Sequence, residues 1–405
     1  MLNIAGVLAR VRPPRTEDST GPLPPLDPWL VFPALLLLAL GVLMVTSASM
    51  PIADRQAGQP FYFLYRQCAY VTLGVVLGYF AYHINTETWY QRGPMLLLVV
   101  MGLLVLVLVP GIGRRVNGSW RWIPLGIMNV QVSELAKLFA IVYVAGYLRR
   151  HGAELRTSIV AMIRPLLVLG VLALLLLMEP DFGAAMVIIF VALGMVFLGG
   201  VNFWQFSAMQ LLVVSGMAVL LWSSPYRRAR LSSFLNPWED PFNKGFQLTQ
   251  SLIAIGRGEM SGVGIGASVQ KLFYLPEAYT DFVFAIIAEE LGLLGVLALI
   301  GLYTVVVVRA FQVGARAERV RQPFAASLAY GIGLWIGFQA LINMGVNMGV
   351  LPTKGLTLPF ISFGGSSLVV MCVAYALLLR ADVETRHDEN PRLRRDRLLR
   401  KVRAP

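Results

Sequence analysis

The stretch YLPEAYTDFVFAIIAEELG, residues 274–292, sets four carboxylates, Glu277, Asp281, Glu289 and Glu290, at the mouth of an otherwise apolar run. A carboxylate there can take a proton from an attacking hydroxyl, or cap a helix. Asp281 follows Pro276, which stops any earlier helix, so a helix N-cap is its bland reading and a general base its functional one. Counting back from Arg309 at about 1.5 Å per residue places Glu289 and Glu290 roughly one hydrocarbon thickness away. Asp281 then lies about 12 Å further out if the helix continues.

Other ionisable groups stand out because each costs about 2.5–3.5 kcal/mol at the centre of a membrane-spanning helix. Glu134 and Lys137, in QVSELAKLF, are three residues apart and share one helix face, so they can neutralise each other. A structural ion pair and the lining of a polar cavity are both open to them. Arg66 and Arg164 are isolated cations that could face the same interior and hold an anion, or snorkel to a boundary. In MEPDFGAA, Glu179 and Asp181 fall in a tight outward-facing turn; Asp181 can cap the next helix, but capping needs only one acid. In GSWRWIPLG, Trp120 and Trp122 bracket Arg121 as boundary anchors, while the guanidinium fork suits a pyrophosphate. SGVGIGAS, with Gly262, Gly264 and Ala267, loosely matches a dinucleotide fingerprint, but no strand precedes it and the nucleotide reading is rejected. Its glycines instead allow a close backbone turn beside a ligand or another helix. PFISFGGSSLVVM opens the last apolar segment with Gly364, Gly365, Ser366 and Ser367, where small residues permit close helix approach.

Membrane helices must position these groups. The chain has 405 residues, 57% of them hydrophobic and 14% charged, more apolar surface than a soluble core could hide. The reading is an all-α polytopic membrane protein with ten transmembrane helices, at about 29–48, 62–83, 94–110, 133–148, 158–178, 183–199, 205–223, 283–309, 324–349 and 364–380. Two connections are too long for turns: 111–132, and the large extracytoplasmic loop 224–282 between the seventh and eighth helices. Residues 1–28 form an N-terminal tail, 29–380 the membrane domain and 381–405 a basic C-terminal tail. The first 28 residues carry no apolar core with a cleavage site, so they read as a retained tail. The net charge of +12 gathers at the ends of apolar runs and in the C-terminal tail, which reads as topology and not as nucleic-acid binding. An even helix count puts both termini on one side, and the basic residues make that side the cytoplasm; six of the Lys and Arg on the other face lie in 224–282, where the rule counts least. Two cysteines and three scattered histidines give neither a disulfide framework nor a metal cluster. With no P-loop, any reaction must be driven by its substrate's own leaving group.

The segments GSWRWIPLG…QVSELAKL, EPDFGAA, GFQLTQSLIAIGRGE…GVGIGASVQKLFYLPEAYTDFVFAIIAEELG and LPTKGLTLPFISFGGSS occur in the order seen in the SEDS family of membrane peptidoglycan glycosyltransferases. The resemblance spans most of residues 29–380. The N-terminal tail, the GRGE form of the glycine segment and the basic C-terminal tail resemble the division branch more than the elongation branch. The resemblance implies polymerisation of lipid II, a disaccharide-pentapeptide on undecaprenyl pyrophosphate, outside the bacterial cytoplasmic membrane at the division septum. It implies a class B penicillin-binding protein as septal transpeptidase partner, other divisome membrane proteins, no nucleic acid and no certain cofactor, with a divalent cation left open. The family's key aspartate maps onto Asp281, its ion pair onto Glu134 and Lys137, and its second acid onto Asp181. Arg121, Arg66, Ser366 and Ser367 complete the candidates for binding substrate or lining the cavity. A lipid II flippase would use the same cavity and cations but needs gates on both faces. A division scaffold that only recruits a transpeptidase leaves the intramembrane charges unexplained.

Overall fold

The computed structural model describes residues 24–111, 113–116, 119–124, 129–155, 158–222, 234–243, 245–352 and 355–389. Most of the N-terminal tail, the basic stretch after 389 and residues 224–233 of the long loop lie outside the described residues.

Every predicted apolar segment falls largely on a helix. These are α1 (Pro28–Ala57), α2 (Tyr62–His83), α3 (Thr86–Val107), α4 (Val132–Leu155), α5 (Ile159–Met178), α6 (Phe182–Leu198), α7 (Phe203–Trp222), α9 (Val283–Arg319), α10 (Pro323–Asn347) and α11 (Gly365–Glu389). An unpredicted helix, α8 (Phe246–Arg257), lies inside the long loop. Among the described residues six helices are long and apolar enough to cross a membrane: α1, α3, α5, α9, α10 and α11; α6 is apolar but only 17 residues long.

Several boundaries move for identifiable reasons. Asp27 accepts from the Trp29 backbone N–H at 3.0 Å and Pro28 follows at the first helical position, which starts α1. That helix passes Pro51 and ends only at Gly58, in the left-handed conformation (φ 62°). The last helix runs to Glu389 and overruns the expected tail boundary at 381, because Arg316 pairs with Asp382 at 2.8 Å and Gln322 donates to Asp388 at 2.6 Å. Ion pairs with neighbouring helices extend it where apolar composition stops.

The all-α expectation needs one correction. The connection after α3 is a three-stranded antiparallel sheet, β1 (Arg114–Val116), β2 (Ser119–Pro124) and β3 (Asn129–Gln131), with Trp122 opposite both Arg114 and Gln131. Its aromatic and β-branched residues favour strands, and a polar SWRWIP segment cannot span lipid. β3 leads directly into α4.

Helix α9 is not continuous. Gly292 sits at φ 65°, ψ −165°, and breaks it. The freed groups exchange hydrogen bonds with the loop after α8: Leu293 and Leu294 N–H donate to the Glu259 and Met260 carbonyls at 2.9 and 3.1 Å. In return, Val263 and Gly264 N–H donate to the Glu289 and Glu290 carbonyls at 3.0 and 3.1 Å. A Cβ on Gly262 would collide with the Glu290 carbonyl, so this glycine of SGVGIGAS permits close approach to a helix, whereas Gly264 and Gly266 face open space and serve the turn through their positive φ.

Helix α10 lies at the centre, against α9, α4, α6 and α11, with Trp335 fully buried. Polar contacts between Asp27 and Arg309, Arg380 and Asn85, and Arg149 and Glu87 gather the start of α1, the start of α3, the end of α4 and the end of α11 at one pole of the bundle. Both ends of the described chain therefore share that pole. The acids of interest lie at the other.

Candidate active site

Asp281 is half-buried in the turn just before α9. The cap position of that helix is Phe282, with no side-chain cap bond, and the Ala285 N–H donates to the Phe282 carbonyl at 3.0 Å and to Asn347 Oδ1 at 3.3 Å. The straight-helix spacing from Arg309 also fails, because of the break at Gly292. Two amides of α10 hold the Asp281 backbone. Its carbonyl accepts from Asn343 Nδ2 at 2.9 Å and from Asn347 Nδ2 at 3.1 Å, and two residues earlier the Tyr279 carbonyl accepts from Phe363 N–H at 2.9 Å. The carboxylate faces Gly355, where an added Cβ would stand 2.9 Å from Oδ2.

Glu134 and Lys137 form the expected pair, with Nζ to Oε1 at 2.9 Å and both side chains buried. The ammonium also donates to Gln339 Oε1 at 2.8 Å and sits 5.3 Å from the Trp335 ring centroid, so two of its three donors are engaged by protein oxygens and its charge faces an aromatic ring. Gln339 Oε1 accepts a second bond from Trp335 Nε1 at 2.8 Å, while its Nε2 donates to Thr357 O at 2.9 Å. Thr357 and Ser367 hydroxyls lie 2.8 Å apart. The chain of bonds thus runs from the pair to the 355–367 segment that faces Asp281. Beyond Lys137 a small apolar crevice of about 10 Å³ lies between α4, α6 and α10, lined by residues such as Ile141, Val187, Val191 and Met195.

Asp181 does cap α6, accepting from Ala184 N–H at 3.1 Å, and it also accepts from Gln131 Nε2 at 3.2 Å. Gln131 N–H donates to Ser366 Oγ at 2.9 Å, and that hydroxyl donates to the Asn129 carbonyl. Asp181 and Ser366 therefore meet through the end of the sheet, whereas Ser367 pairs with Thr357. Arg121 does not point to open solvent; its Nε donates to the Glu179 carbonyl at 2.8 Å and its NH2 group to the Pro180 carbonyl at 2.5 Å. The Glu179 carboxyl, expected on an outward turn, is fully enclosed, and neither oxygen has a hydrogen-bond partner. Burial, aided by the neighbouring Asp181 charge and opposed by Arg121, pushes it up to about 8.

Arg66 lies in the first turns of α2, hydrogen-bonded to Tyr62 Oη at 3.0 Å and within 5.8 Å of the Tyr70 ring centroid. Phe63, Phe363 and Tyr279 stack beside it, with centroids 4.7 Å apart for Phe63 and Tyr279, which brings Arg66 to the Asp281 pole. Arg164 does not share that interior: it is exposed near the start of α5, at the opposite pole. Glu289 and Glu290 are buried and receive the loop after α8. Ser268 Oγ donates to Glu289, while Lys271 Nζ and Ser47 Oγ donate to Glu290 at 2.8 and 2.7 Å. They anchor the loop that leads to Asp281. Among the described residues no three His, Cys, Asp or Glu side chains form a metal-holding group.

The sequence profile of the cell cycle protein family that comprises FtsW, RodA and SpoVE matches residues 28–387. The chain belongs to that family. It is 55% identical over 366 residues to a probable peptidoglycan glycosyltransferase FtsW from Nitrosococcus halophilus, covering 90% of this chain and 94% of the relative. A second relative of the same name, from Thioalkalivibrio sulfidiphilus, is 55% identical over 360 residues, 89% of this chain and 90% of its own. Among solved structures, a chain described under "structural coordination of polymerization and crosslinking by a peptidoglycan synthase complex" superposes with a TM-score of 0.73 at 29% identity, covering 89% of this chain and 98% of that one. The rod shape determining protein RodA of Thermus thermophilus gives 0.65 at 28% identity, with 90% and 98% covered.

Sequence reasoning missed the family member's α10 amides. Gln339, Asn343 and Asn347, in WIGFQALINMGVN, recur every four residues and are all buried. The signal was available: three primary amides on one face of an apolar helix would each cost about 1–3 kcal/mol unless partnered. Gly355, Thr357 and Gln131 gave no comparable signal, since each is ordinary in its local sequence.

Proposed function

We infer that this chain is a peptidoglycan glycosyltransferase of the division type, multi-pass in the bacterial inner membrane, that polymerises lipid II into glycan strands. Asp281 is the general base. It takes the proton from the acceptor sugar's 4-hydroxyl as that oxygen bonds to C1 of the donor sugar. The C1–O bond to pyrophosphate breaks, and undecaprenyl pyrophosphate leaves with the bonding pair. Arg66 and Arg121 are the cations suited to the departing pyrophosphate. The observation that carries this reading is the mounting of Asp281: its carbonyl is held by two buried amides and its carboxylate is faced by the bare backbone of Gly355.

Other features support the reading. The ten-helix topology has both termini cytoplasmic and 224–282 outside, which puts Asp281 at the outer face, where a lipid-linked sugar is presented. The solved relative's description, a complex that coordinates polymerization and crosslinking, supports a crosslinking partner for this chain too. A class B penicillin-binding protein at the division septum is that partner.

The test is Asp281→Asn, which keeps size but loses the base. Purified with wild-type yield and given labelled lipid II, it should make no glycan. Wild-type polymerisation by that variant would remove Asp281 from the chemistry.

A further inference from the structure

Three buried amides on α10 do something more specific than join helices. Asn343 uses both hydrogens of Nδ2, one to the Asp281 carbonyl at 2.9 Å and one to the Leu356 carbonyl at 2.6 Å. Those two carbonyls belong to the two loop segments that flank the Asp281 carboxylate, because Leu356 follows Gly355. A single planar group therefore sets the gap between the base and the backbone it faces. One turn on, Asn347 Nδ2 bonds the Asp281 carbonyl again, at 3.1 Å, and the Asn343 carbonyl at 2.9 Å. One turn back, Gln339 holds Thr357 on one side and Lys137 on the other. The orientations are unambiguous, since flipping either asparagine would set its oxygen against two carbonyls.

We propose that Asn343 is the principal positioning residue for Asp281, with Asn347 and Gln339 as supporting rungs of an amide ladder that fixes the base relative to the 355–357 segment. The buried Glu134–Lys137 pair acts on the site through this ladder, at the Gln339 rung, and not by contact with substrate. Ordinary interhelical glue would bond one helix to another. Here Asn343 reaches past its neighbours to two loops, and α10 supplies a rigid rail for both.

The inference rests on Asp281 being the base, so Asp281→Asn is assayed alongside. The test measures kcat and KM for labelled lipid II with full-length Asn343→Leu, which fills similar volume without donors. Displacement of a base by a fraction of an ångström to 1 Å costs roughly 10- to 100-fold, so kcat should fall by at least about ten-fold with KM within about two-fold and the stoichiometry of lipid II binding unchanged. An unchanged kcat, or a rise in KM alone, overturns the proposal. If Asn343→Leu does not fold, Asn347→Leu carries the test. It removes one of the two bonds to the Asp281 carbonyl and should lower kcat several-fold at constant KM; a wild-type kcat there also overturns it. If Asp281→Asn is inactive while the asparagine variants match wild type, the ladder alone is wrong. If Asp281→Asn is active, the base assignment fails first.

Discussion

Gly355→Ala probes the placement of Asp281 with one methyl group. The added carbon would lie 2.9 Å from Asp281 Oδ2, 3.7 Å from Cγ and 4.0 Å from Oδ1, where ordinary contact begins at 3.4 Å. The shortfall is 0.5 Å, and it falls on the far end of a side chain, so the carboxylate and not the backbone gives way. Gly355 is exposed and its φ is not in the left-handed region, so alanine adds no backbone strain. Rotating Asp281 off its preferred rotamer costs about 0.5–1.5 kcal/mol, part of which the lower entropy of the unfolded alanine chain offsets. Stability should therefore change little. Rate should change more, because a 1 Å misplacement costs about 100-fold and half of that roughly 10-fold. The assay is polymerisation of labelled lipid II beside thermal melting in the same detergent. Gly102→Ala, at a glycine with nothing within 4 Å, serves as the neutral control. A Gly355→Ala protein that polymerises at the wild-type rate, or one that loses rate only in step with its melting temperature, would refute the placement argument.

Removing one member of the Glu134–Lys137 pair should cost about 3–5 kcal/mol where it strands a buried charge. Lys137→Met, which leaves a carboxylate among apolar neighbours, should melt lower than Glu134→Gln, whose Lys137 keeps Gln339; equal and small losses would show that the pair is solvated. Glu179 binds its proton in the folded state up to about pH 8, against an ordinary 4.5, so the unfolded chain ionises first. Its contribution to stability is complete below about pH 4.5 and is lost as pH rises towards 8. Glu179→Gln should match wild type in melting temperature at pH 5 and exceed it at pH 8; parallel curves across that range would mean the carboxyl is ionised when folded. For topology, reporters placed after residue 389 should behave as cytoplasmic and reporters in 234–243 as extracytoplasmic, and the reverse pattern would put Asp281 on the wrong side of the membrane.

The sequence by itself determined where the apolar helices lie, though not α8 within the long loop, because each predicted span rests on apolar composition within about 20 contiguous residues. It also determined the Glu134–Lys137 pair, since three residues on a helix fix a shared face, and the Asp181 cap, since a cap reaches only its own first turn. The boundary at Glu389 was not legible, because Arg316 and Gln322 hold that end from outside the helix, and α1 runs past its apolar stretch to the left-handed Gly58. Only the tertiary structure decided the site. Asp281 reads locally as a cap, yet the cap position falls on Phe282, and Asn343, 62 residues further along the chain, takes the Asp281 carbonyl. Glu179 reads as an outward acid until the packing of β2 and the turn encloses it. Gly355 reads as one glycine among 38 until the fold brings the Asp281 carboxylate against it. Periodicity and capping are set by neighbours within a turn or two, whereas which carbonyl a buried amide finds is set by how α9, α10 and the segment before α11 pack together.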